Sequence, residues 1–291
     1  MIQVLDEAHL EETVRFLAAY NAKDEHYVAW LEQTKVLLGQ QLEDALRDNV
    51  PILICKEAGK ICGFLGISIS REQGIARLLG PVVKPDYWNN TVPLLWNELV
   101  KLLPESAKEV RIAFYGDNTQ CKKFAADYGF ELYNAEMQMM YPKTKEHAFS
   151  EPEADIILID FRNEDLEALK KFHPEGAYFT VNEMLLRLNE NNRLVMAFSE
   201  GKAAGYVYYE MLPEEKACEV CFVNVESSMR GKGIGTRLIE GVIEDSFLQP
   251  GIDRVDISVR LKNRKAASLY RRMGFEEEKT VFAYRKVLSF P

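Results

Sequence analysis

Three glycines at alternate positions mark the segment of this chain best suited to chemistry. They lie in the run Met229-Arg-Gly-Lys-Gly-Ile-Gly-Thr236, between a strand-like apolar stretch and a helix-like one. Glycine lets a backbone approach a ligand closely, and the unpaired amides of a helix N-terminus suit a phosphate or pyrophosphate. Arg230 and Lys232 add positive charge. The run predicts a phosphate-binding turn; the alternative is a glycine-rich turn used only for tight packing.

Two common phosphate-binding patterns do not fit this run. The dinucleotide pattern Gly-x-Gly-x-x-Gly fails because position 236 is Thr. The P-loop pattern fails because neither Ser nor Thr follows Lys232, and because Glu226 stands where that pattern needs Gly. What remains is Arg-x-x-Gly-x-Gly, formed by Arg230, Gly233 and Gly235.

This pattern resembles the acetyl-CoA signature of the GNAT acetyltransferase superfamily, in which Arg-Gly-Lys-Gly-Ile-Gly follows a strand ending in Val. A later segment resembles the second signature of that superfamily through Asn263, Ala267, Leu269, Tyr270, Gly274 and Phe275. The resemblance covers roughly residues 153–288.

The resemblance implies how acetyl-CoA would be held. Its pantetheine arm would pair with a splayed central strand at Val223–Val225, which includes the edge residues Val223 and Val225. Its pyrophosphate would sit on the amides of the glycine loop, whose residues are Arg230, Gly231, Lys232, Gly233, Ile234, Gly235 and Thr236.

The resemblance also implies roles for two side chains on the last helix. Asn263 and Tyr270 are seven residues apart, so they share a helix face. In the superfamily the Asn contacts the CoA arm and the Tyr hydroxyl faces the thioester sulfur. A tyrosine with a pKa near ~10 is protonated at neutral pH and can act as an acid. The alternatives are an ordinary N-cap for Asn263, which can coexist with the contact, and core packing for Tyr270.

Glu219 is the expected base that takes a proton from an attacking amine. It lies six residues before Val225, so strict alternation along a strand puts both on one face. Among Cys221, Val223 and Val225, burial would raise the pKa of this carboxyl. This arrangement resembles that of the histone-acetylating branch of the superfamily. The alternatives are a glutamate that points to solvent, or a chain of waters that carries the proton.

The remaining reactive side chains form no recognisable site. Cys218 and Cys221 are three residues apart, so they face opposite sides of a strand and no metal or redox pair is expected. The four histidines lack ligand spacing, and no Gly-x-Ser-x-Gly motif is present. We therefore expect no metal.

Alternating helices and strands would position these residues. In the second half, periodicity predicts the central strand at Glu219–Val225, a helix at Gly235–Phe247 and a helix at Asn263–Met273 that Gly274 ends. A hairpin at Arg193–Met211 precedes them. The pattern is a mixed α/β one.

The first half repeats this order. Leu79–Val83 matches the central strand, and a hairpin again precedes it. Asn118 and Gly129-Phe-Glu131 match Asn263 and Gly274-Phe-Glu276 at an offset of 145 residues. A period near half the chain predicts duplication of one fold.

We therefore predict an α/β fold (an α+β mixed sheet) with two tandem GNAT-like domains, each a central mixed β-sheet flanked by helices. A polar linker with two prolines, Pro142–Pro152, would separate a domain at residues 1–145 from one at 150–291.

The first domain lacks both signatures. Trp88, Thr91 and Pro93 stand where the second half has the arginine and two glycines of its loop, and Ala125 stands for the tyrosine. Proline has no amide to offer a phosphate. We expect a degenerate copy that does not bind acetyl-CoA in the manner of the superfamily.

Composition limits the partners. The 291 residues hold 36 Lys and Arg against 45 Asp and Glu, a net charge of −9, which disfavours a nucleic-acid partner. No apolar run approaches the ~18 residues of a membrane helix, and the N-terminus lacks the basic region of a signal peptide. Five scattered cysteines favour free thiols and a cytoplasmic location.

Together these features predict an acetyl-CoA-dependent N-acetyltransferase. Its C-terminal domain would transfer acetyl to a small-molecule or peptide amine by direct attack. The alternatives are a non-catalytic acyl-CoA-binding or scaffold protein, and another nucleotide-binding enzyme that uses the same helix N-terminus. The sequence does not indicate the acceptor or the oligomeric state.

Overall fold

Contacts within the chain group it into two compact units. The computed structural model describes residues 1–145 and 155–288. Unit 1 comprises Met1–Glu136 and the C-terminal segment that begins at Lys279, and unit 2 comprises Met137–Glu278. Residues 146–154, which hold most of the predicted linker, lie outside the described residues.

Helices and strands alternate in the first half of the chain, as the periodicity predicts. In chain order its elements are β1 (Ile2–Val4), α1 (Glu7–Asn21), α2 (Lys35–Arg47), β2 (Ile52–Glu57), β3 (Lys60–Ser70), β4 (Ile75–Val83), α3 (Trp88–Leu102), β5 (Glu109–Tyr115), α4 (Thr119–Asp127) and β6 (Glu131–Pro142).

The second half has the same order of elements. They are β7 (Ile156–Asp160), α5 (Leu166–Phe172), α6 (Val181–Arg187), β8 (Asn192–Ser199), β9 (Lys202–Leu212), β10 (Ala217–Val225), α7 (Ile234–Leu248), β11 (Arg254–Arg260), α8 (Arg264–Met273) and β12 (Glu276–Val287). The predicted mixed α/β class is confirmed. No helix in the described part of the chain is both long and apolar enough to span a membrane.

The strands of unit 1 follow the order β1-β2-β3-β4-β5-β12. The pairs are antiparallel except for β4 and β5, which pair in parallel from Ile75 to Arg77 of β4. The last strand of the chain completes this sheet, because β12 pairs with β5 through Val281–Val287.

The strands of unit 2 follow the order β6-β11-β10-β9-β8-β7. β10 and β11 pair in parallel, and the pairs β10–β9, β9–β8 and β8–β7 are antiparallel. Two apolar clusters cover the two faces of β9 and β10. One contains Leu238 of α7 and Tyr270 of α8, and the other contains Leu169 of α5 and Met184 of α6.

The two halves share strand register as well as order. β4 matches β10 at an offset of 142 residues, and β5 matches β11 at an offset of 145 residues. The parallel pair that opens each ladder, Ile75 with Glu109 and Ala217 with Arg254, obeys the same offsets. The sequence repeat therefore corresponds to a repeated strand–helix–strand unit.

The N-terminus of α7 differs from those of most other helices because no side chain caps it. The side chains of Asp6, Thr34, Asn118, Thr180 and Asn263 accept a backbone N–H in the first turns of α1, α2, α4, α6 and α8. The N-cap of α7 is Gly233, which has a positive φ of 77° and no side chain to accept a hydrogen bond. The first amides of α7 are therefore left for other acceptors.

Candidate functional site

The candidate site is the gap that opens where β10 and β11 separate. Val220 and Ile257 form the last residue pair between these strands. Beyond it, Val223–Val225 pair with Gly205–Val207 of β9, and in the described part of the chain no strand pairs with their other edge. Such an edge can accept an extended ligand that carries amides, in the way that a sheet accepts an added strand.

Gly205 allows β9 to approach this edge closely. It pairs with Val225, and a Cβ on Gly205 would lie 2.5 Å from the carbonyl oxygen of Asn224. Gly205 belongs to neither of the two sequence signatures. An isolated glycine inside a strand pattern indicates a close backbone approach, so a signal for it was present.

The loop between β10 and α7 carries the predicted glycines. Gly231 and Gly233 have positive φ values of 85° and 77°, which favour glycine over other residues. Both are exposed, as are Arg230 and Lys232, and Gly235 is half-buried. Their backbone is accessible to a ligand.

Two further loop residues, Ile234 and Thr236, are at least partly buried. Ile234 is buried in the core of unit 2, so only its backbone can serve a ligand, and Thr236 is half-buried.

The two basic side chains of the loop have weak protein partners. Arg230 Nε donates to the carbonyl oxygen of Val225 at 3.2 Å, and Lys232 Nζ lies 3.0 Å from Glu200 Oε1. Hydrogen bonding to Lys232 lowers the pKa of the Glu200 carboxyl. The exposed ion pair of Lys232 with Glu200 contributes little stability, so an anionic ligand can displace it.

Tyr270 lies in the core beside the splayed strand. It is only 5% exposed and belongs to the apolar cluster that Val223 and Val225 pack against. Its hydroxyl has no hydrogen-bond partner within residues 1–145 and 155–288, whereas a buried tyrosine hydroxyl usually finds one. Burial raises the pKa of Tyr270 to about 12, so the hydroxyl is protonated at neutral pH.

Asn263 caps α8. Its Oδ1 accepts the backbone N–H of Ala266 at 3.3 Å, and the residue is exposed. The N-cap function is therefore present, and the contact with a CoA arm stays a prediction.

The predicted environment of Glu219 is wrong. A bulge interrupts the ladder between β9 and β10, because Val220 pairs with Tyr209 while Phe222 pairs with Tyr208. The extra residue, Cys221, reverses the alternation of faces. Glu219 consequently lies on the face opposite Val223 and Val225 and is exposed rather than desolvated among them.

Glu219 lies instead in a row of carboxylates across three strands. It pairs with Glu210 of β9 on one side and with Asp256 of β11 on the other. Arg187 Nε lies 3.1 Å from Glu210 Oε1, and Arg254 Nε lies 2.9 Å from Asp256 Oδ2. Burial raises the pKa of the Asp256 carboxyl. Within the described residues, no group of His, Cys, Asp or Glu could hold a metal ion.

His173 organises the segment between α5 and α6 on this face. Its Nε2 donates to the carbonyl oxygen of Phe179 at 2.8 Å, and its Nδ1 lies 2.7 Å from the hydroxyl of Tyr206. Burial lowers the pKa of His173, so the neutral ring with Nδ1 as acceptor is favoured. The segment is thereby held against β9.

In unit 1, β4 and β5 separate in a similar way, but different residues lie at the gap between them. β4 pairs with β5 only as far as Arg77. Cys121 of α4 is fully buried, and its Sγ lies 3.7 Å from the carbonyl oxygen of Pro81. Pro81 stands at the position of Val223 and has no N–H. Trp88 is buried at the start of α3, at the position of the loop arginine.

Comparison with known proteins gives the family of unit 2. Residues 158–275 match the Acetyltransferase (GNAT) family. A mycothiol acetyltransferase from Streptomyces bingchenggensis is 24% identical, with 98% of this chain and 96% of that protein aligned. An uncharacterized N-acetyltransferase from Methanocaldococcus jannaschii is 30% identical over 94 residues, which are 31% of this chain and 41% of that protein.

Solved structures extend the likeness to the whole fold. A tandem GNAT protein from the clavulanic acid biosynthesis pathway has a TM-score of 0.74 at 14% identity, over 100% of this chain and 99% of that one. A GCN5-related N-acetyltransferase from Sphaerobacter thermophilus has a TM-score of 0.72 at 17% identity, over 99% and 95% of the two chains. Residues 158–275 therefore match the Acetyltransferase (GNAT) family, and the chain shares its fold along its length with a tandem GNAT protein.

Proposed function

We propose that the chain is an acetyl-CoA-dependent N-acetyltransferase with its active site in unit 2. One observation carries the proposal: the open edge of β10 at Val223–Val225 is followed by the glycine loop and by the N-terminus of α7, which no side chain caps. An extended amide-bearing arm suits the edge, and a pyrophosphate suits the helix N-terminus. The GNAT domain match and the mycothiol acetyltransferase relative support acetyl transfer as the reaction.

Each part of the loop has a distinct role in this proposal. The amides of Gly231–Thr236 hold the pyrophosphate, and the exposed side chains of Arg230 and Lys232 balance its charge. Ile234 anchors the helix through its buried side chain. Asn263 caps α8 and thereby fixes the start of this helix. It also fixes the position of Tyr270, which lies on the same helix face.

Acetyl-CoA supplies the acetyl group as a thioester. The amine nitrogen forms a bond to the acetyl carbon while the carbon–sulfur bond breaks, so one proton leaves nitrogen and one reaches sulfur. Tyr270 suits the donor role, since its pKa near 12 keeps it protonated. The exposed carboxylate of Glu219, two residues before the bulge, suits the acceptor role, with a chain of waters as the alternative.

We also propose that the acceptor is a small-molecule or peptide amine and that the protein works in the cytoplasm. The five free cysteines, four of them buried, support a reducing compartment.

Calorimetric titration of acetyl-CoA into the full chain tests the binding site. The decisive variant is Gly231→Asp, which places a carboxylate in the loop. Its matched control is Gly251→Asp, because both glycines are exposed and have similar positive φ values, 85° and 87°, with no atom within 4 Å of an added Cβ. We expect Gly231→Asp to weaken acetyl-CoA binding at least about tenfold through like-charge repulsion, and Gly251→Asp to leave it unchanged.

Release of the CoA thiol with a panel of amines then tests turnover. Binding at this loop without thiol release from any amine would favour a non-catalytic acyl-CoA-binding protein. Displacement of acetyl-CoA by ATP or NAD would favour another nucleotide-binding enzyme. Equal binding by the two aspartate variants would contradict the site itself.

A further inference from the structure

Aromatic rings surround Phe222, the residue that follows the bulge of β10. Tyr178 stacks on it with ring centroids 4.8 Å apart, and His173 meets it edge-on at 5.1 Å. Phe179 and Tyr208 each lie at 6.4 Å. Tyr178 is 43% exposed, so solvent reaches this group of five rings. We refer to His173, Tyr178, Phe179, Tyr208 and Phe222 as the aromatic cluster.

The aromatic cluster and Glu219 share one face of the sheet. Phe222 pairs with Tyr208, Glu219 pairs with Glu210, and residues 208 and 210 point to the same side of β9. The hydroxyl of Tyr208 donates to Glu210 Oε1 at 2.7 Å, which shows that these side chains meet. This face is the one covered by α5 and α6, whereas α7 and α8 pack on the other.

Carboxylate side chains lie beside the aromatic cluster. Glu210, Glu219 and Asp256 are neighbours across three strands. Arg187, whose guanidinium lies 4.5 Å from the ring of Phe179, pairs with Glu210, and Arg254 pairs with Asp256. Carboxylates therefore line one side of the aromatic cluster.

We propose that the aromatic cluster and Glu219 form the acceptor site and select a primary amine carried on an aromatic or extended apolar body. This inference rests on the proposed function. The apolar body would stack on the exposed ring of Tyr178, and aromatic faces together with carboxylates attract the ammonium form of the amine. The ammonium first gives one proton to Glu219, next to the point where β10 and β11 part, and the neutral amine then attacks the thioester. Nitrogen loses its second proton to solvent as the amide forms, while the departing sulfur takes a proton from Tyr270. Sugar amines present a largely polar body to these rings, and amino acids bring a carboxylate towards like charge.

Steady-state release of the CoA thiol by the full chain tests this specificity, with 2-phenylethylamine and glucosamine as acceptors. We expect kcat/KM for 2-phenylethylamine to exceed that for glucosamine about tenfold or more. Tyr178→Ala should lower the value for 2-phenylethylamine about tenfold while changing that for glucosamine less than about threefold. Tyr178→Phe, which keeps the ring, should retain the preference.

Two further measurements separate specificity from a general defect. The affinity for acetyl-CoA should be the same in Tyr178→Ala and the unaltered chain. Tyr87→Ala removes a tyrosine of similar exposure, 36%, in unit 1 and should change neither acceptor.

A preference for glucosamine, or a Tyr178→Ala variant that affects both amines equally or neither, would overturn the inference and leave the proposed function standing. Absence of acetyl-CoA binding together with absence of thiol release from both amines would overturn both.

Discussion

Tyr270 combines burial with a hydroxyl that lacks a protein partner in the described part of the chain. Burial disfavours the phenolate and raises the pKa to about 12, which suits a group that must arrive at the reaction protonated. A tyrosine needed only for packing would function equally well as phenylalanine, so the hydroxyl is the group to remove.

We expect Tyr270→Phe to lower kcat about tenfold or more, because proton transfer by a positioned acid contributes at least that much. The affinity for acetyl-CoA should change less than about twofold, since the ring remains. Tyr209→Phe is the control: it removes another buried hydroxyl of unit 2, which donates to Asp245 at 2.7 Å, and should lower stability rather than kcat. Equal kcat in Tyr270→Phe and the unaltered chain would contradict the acid role.

The pH dependence of kcat follows from the same pKa. A donor with a pKa near 12 stays protonated throughout the measurable range, so Tyr270 should cause no loss of kcat between pH 7 and about pH 10. The decline on the acid side should come from the base instead.

A substitution of Glu219 tests which group causes the decline in activity at acid pH. Glu219→Gln should remove or shift the acid limb of the pH profile of kcat/KM, since glutamine cannot accept a proton near neutral pH. Glu214→Gln, which alters an exposed carboxyl just before β10, should leave the profile unchanged. An unaltered acid limb in Glu219→Gln would assign the proton to a chain of waters.

At the scale of elements, local backbone geometry decides what the sequence could reveal. The glycine loop, the cap Asn263 and the C-cap Gly274 depend on residues close in sequence, and their types predict the turns that they form. The bulge at Cys221 depends on the register with β9, which alternation along one strand cannot reveal. The aromatic cluster was missed for the same reason, because His173 and Tyr178 reach Phe222 only through tertiary packing.

Gly205 tests whether the open edge of β10 depends on the approach of β9. Alanine at this position meets the Asn224 carbonyl oxygen, a backbone atom that cannot move aside cheaply. We expect Gly205→Ala to cost about 1–3 kcal/mol of unfolding free energy and to weaken acetyl-CoA binding. Gly241→Ala is a matched control, because its added Cβ meets only the flexible tip of Leu158. Thermal unfolding and calorimetry measure both effects; equal behaviour of the two variants would show that the approach is unimportant.

At the scale of the whole molecule, chain order and compact units do not coincide. Unit 2 begins inside β6, so Met139 and Tyr141 lie in its core although they precede the predicted linker. Unit 1 in turn uses Val281–Val287 of β12. Sequence periodicity identifies the two copies, but it contains no information about which copy each terminal strand joins.

Two fragments of the chain test whether the domain boundary follows the compact units or the predicted linker. The predicted domain at residues 150–291 lacks Tyr141, which is fully buried and packs 5.4 Å from Phe275. Loss of such a core aromatic costs about 3–5 kcal/mol, a large part of the total stability of a domain. We expect the fragment 137–278 to unfold cooperatively on heating and the fragment 150–291 to lack a cooperative transition. Cooperative unfolding of fragment 150–291 at the higher temperature would support the boundary at the linker.

The stoichiometry of the full chain tests the role of unit 1. Its splay is occupied by the Cys121 thiol against the Pro81 carbonyl oxygen, and its α3 begins at the buried Trp88 instead of a glycine loop. Position 81 offers no strand amide to a CoA arm, and the start of α3 lacks the glycines and the loop arginine that would bring a pyrophosphate close. We therefore expect one equivalent of acetyl-CoA per chain by calorimetry, and no residual site of similar affinity in Gly231→Asp. Two equivalents, or one equivalent that survives in Gly231→Asp with unchanged affinity, would place a functional acetyl-CoA site in unit 1 and make the duplication one of function as well as fold.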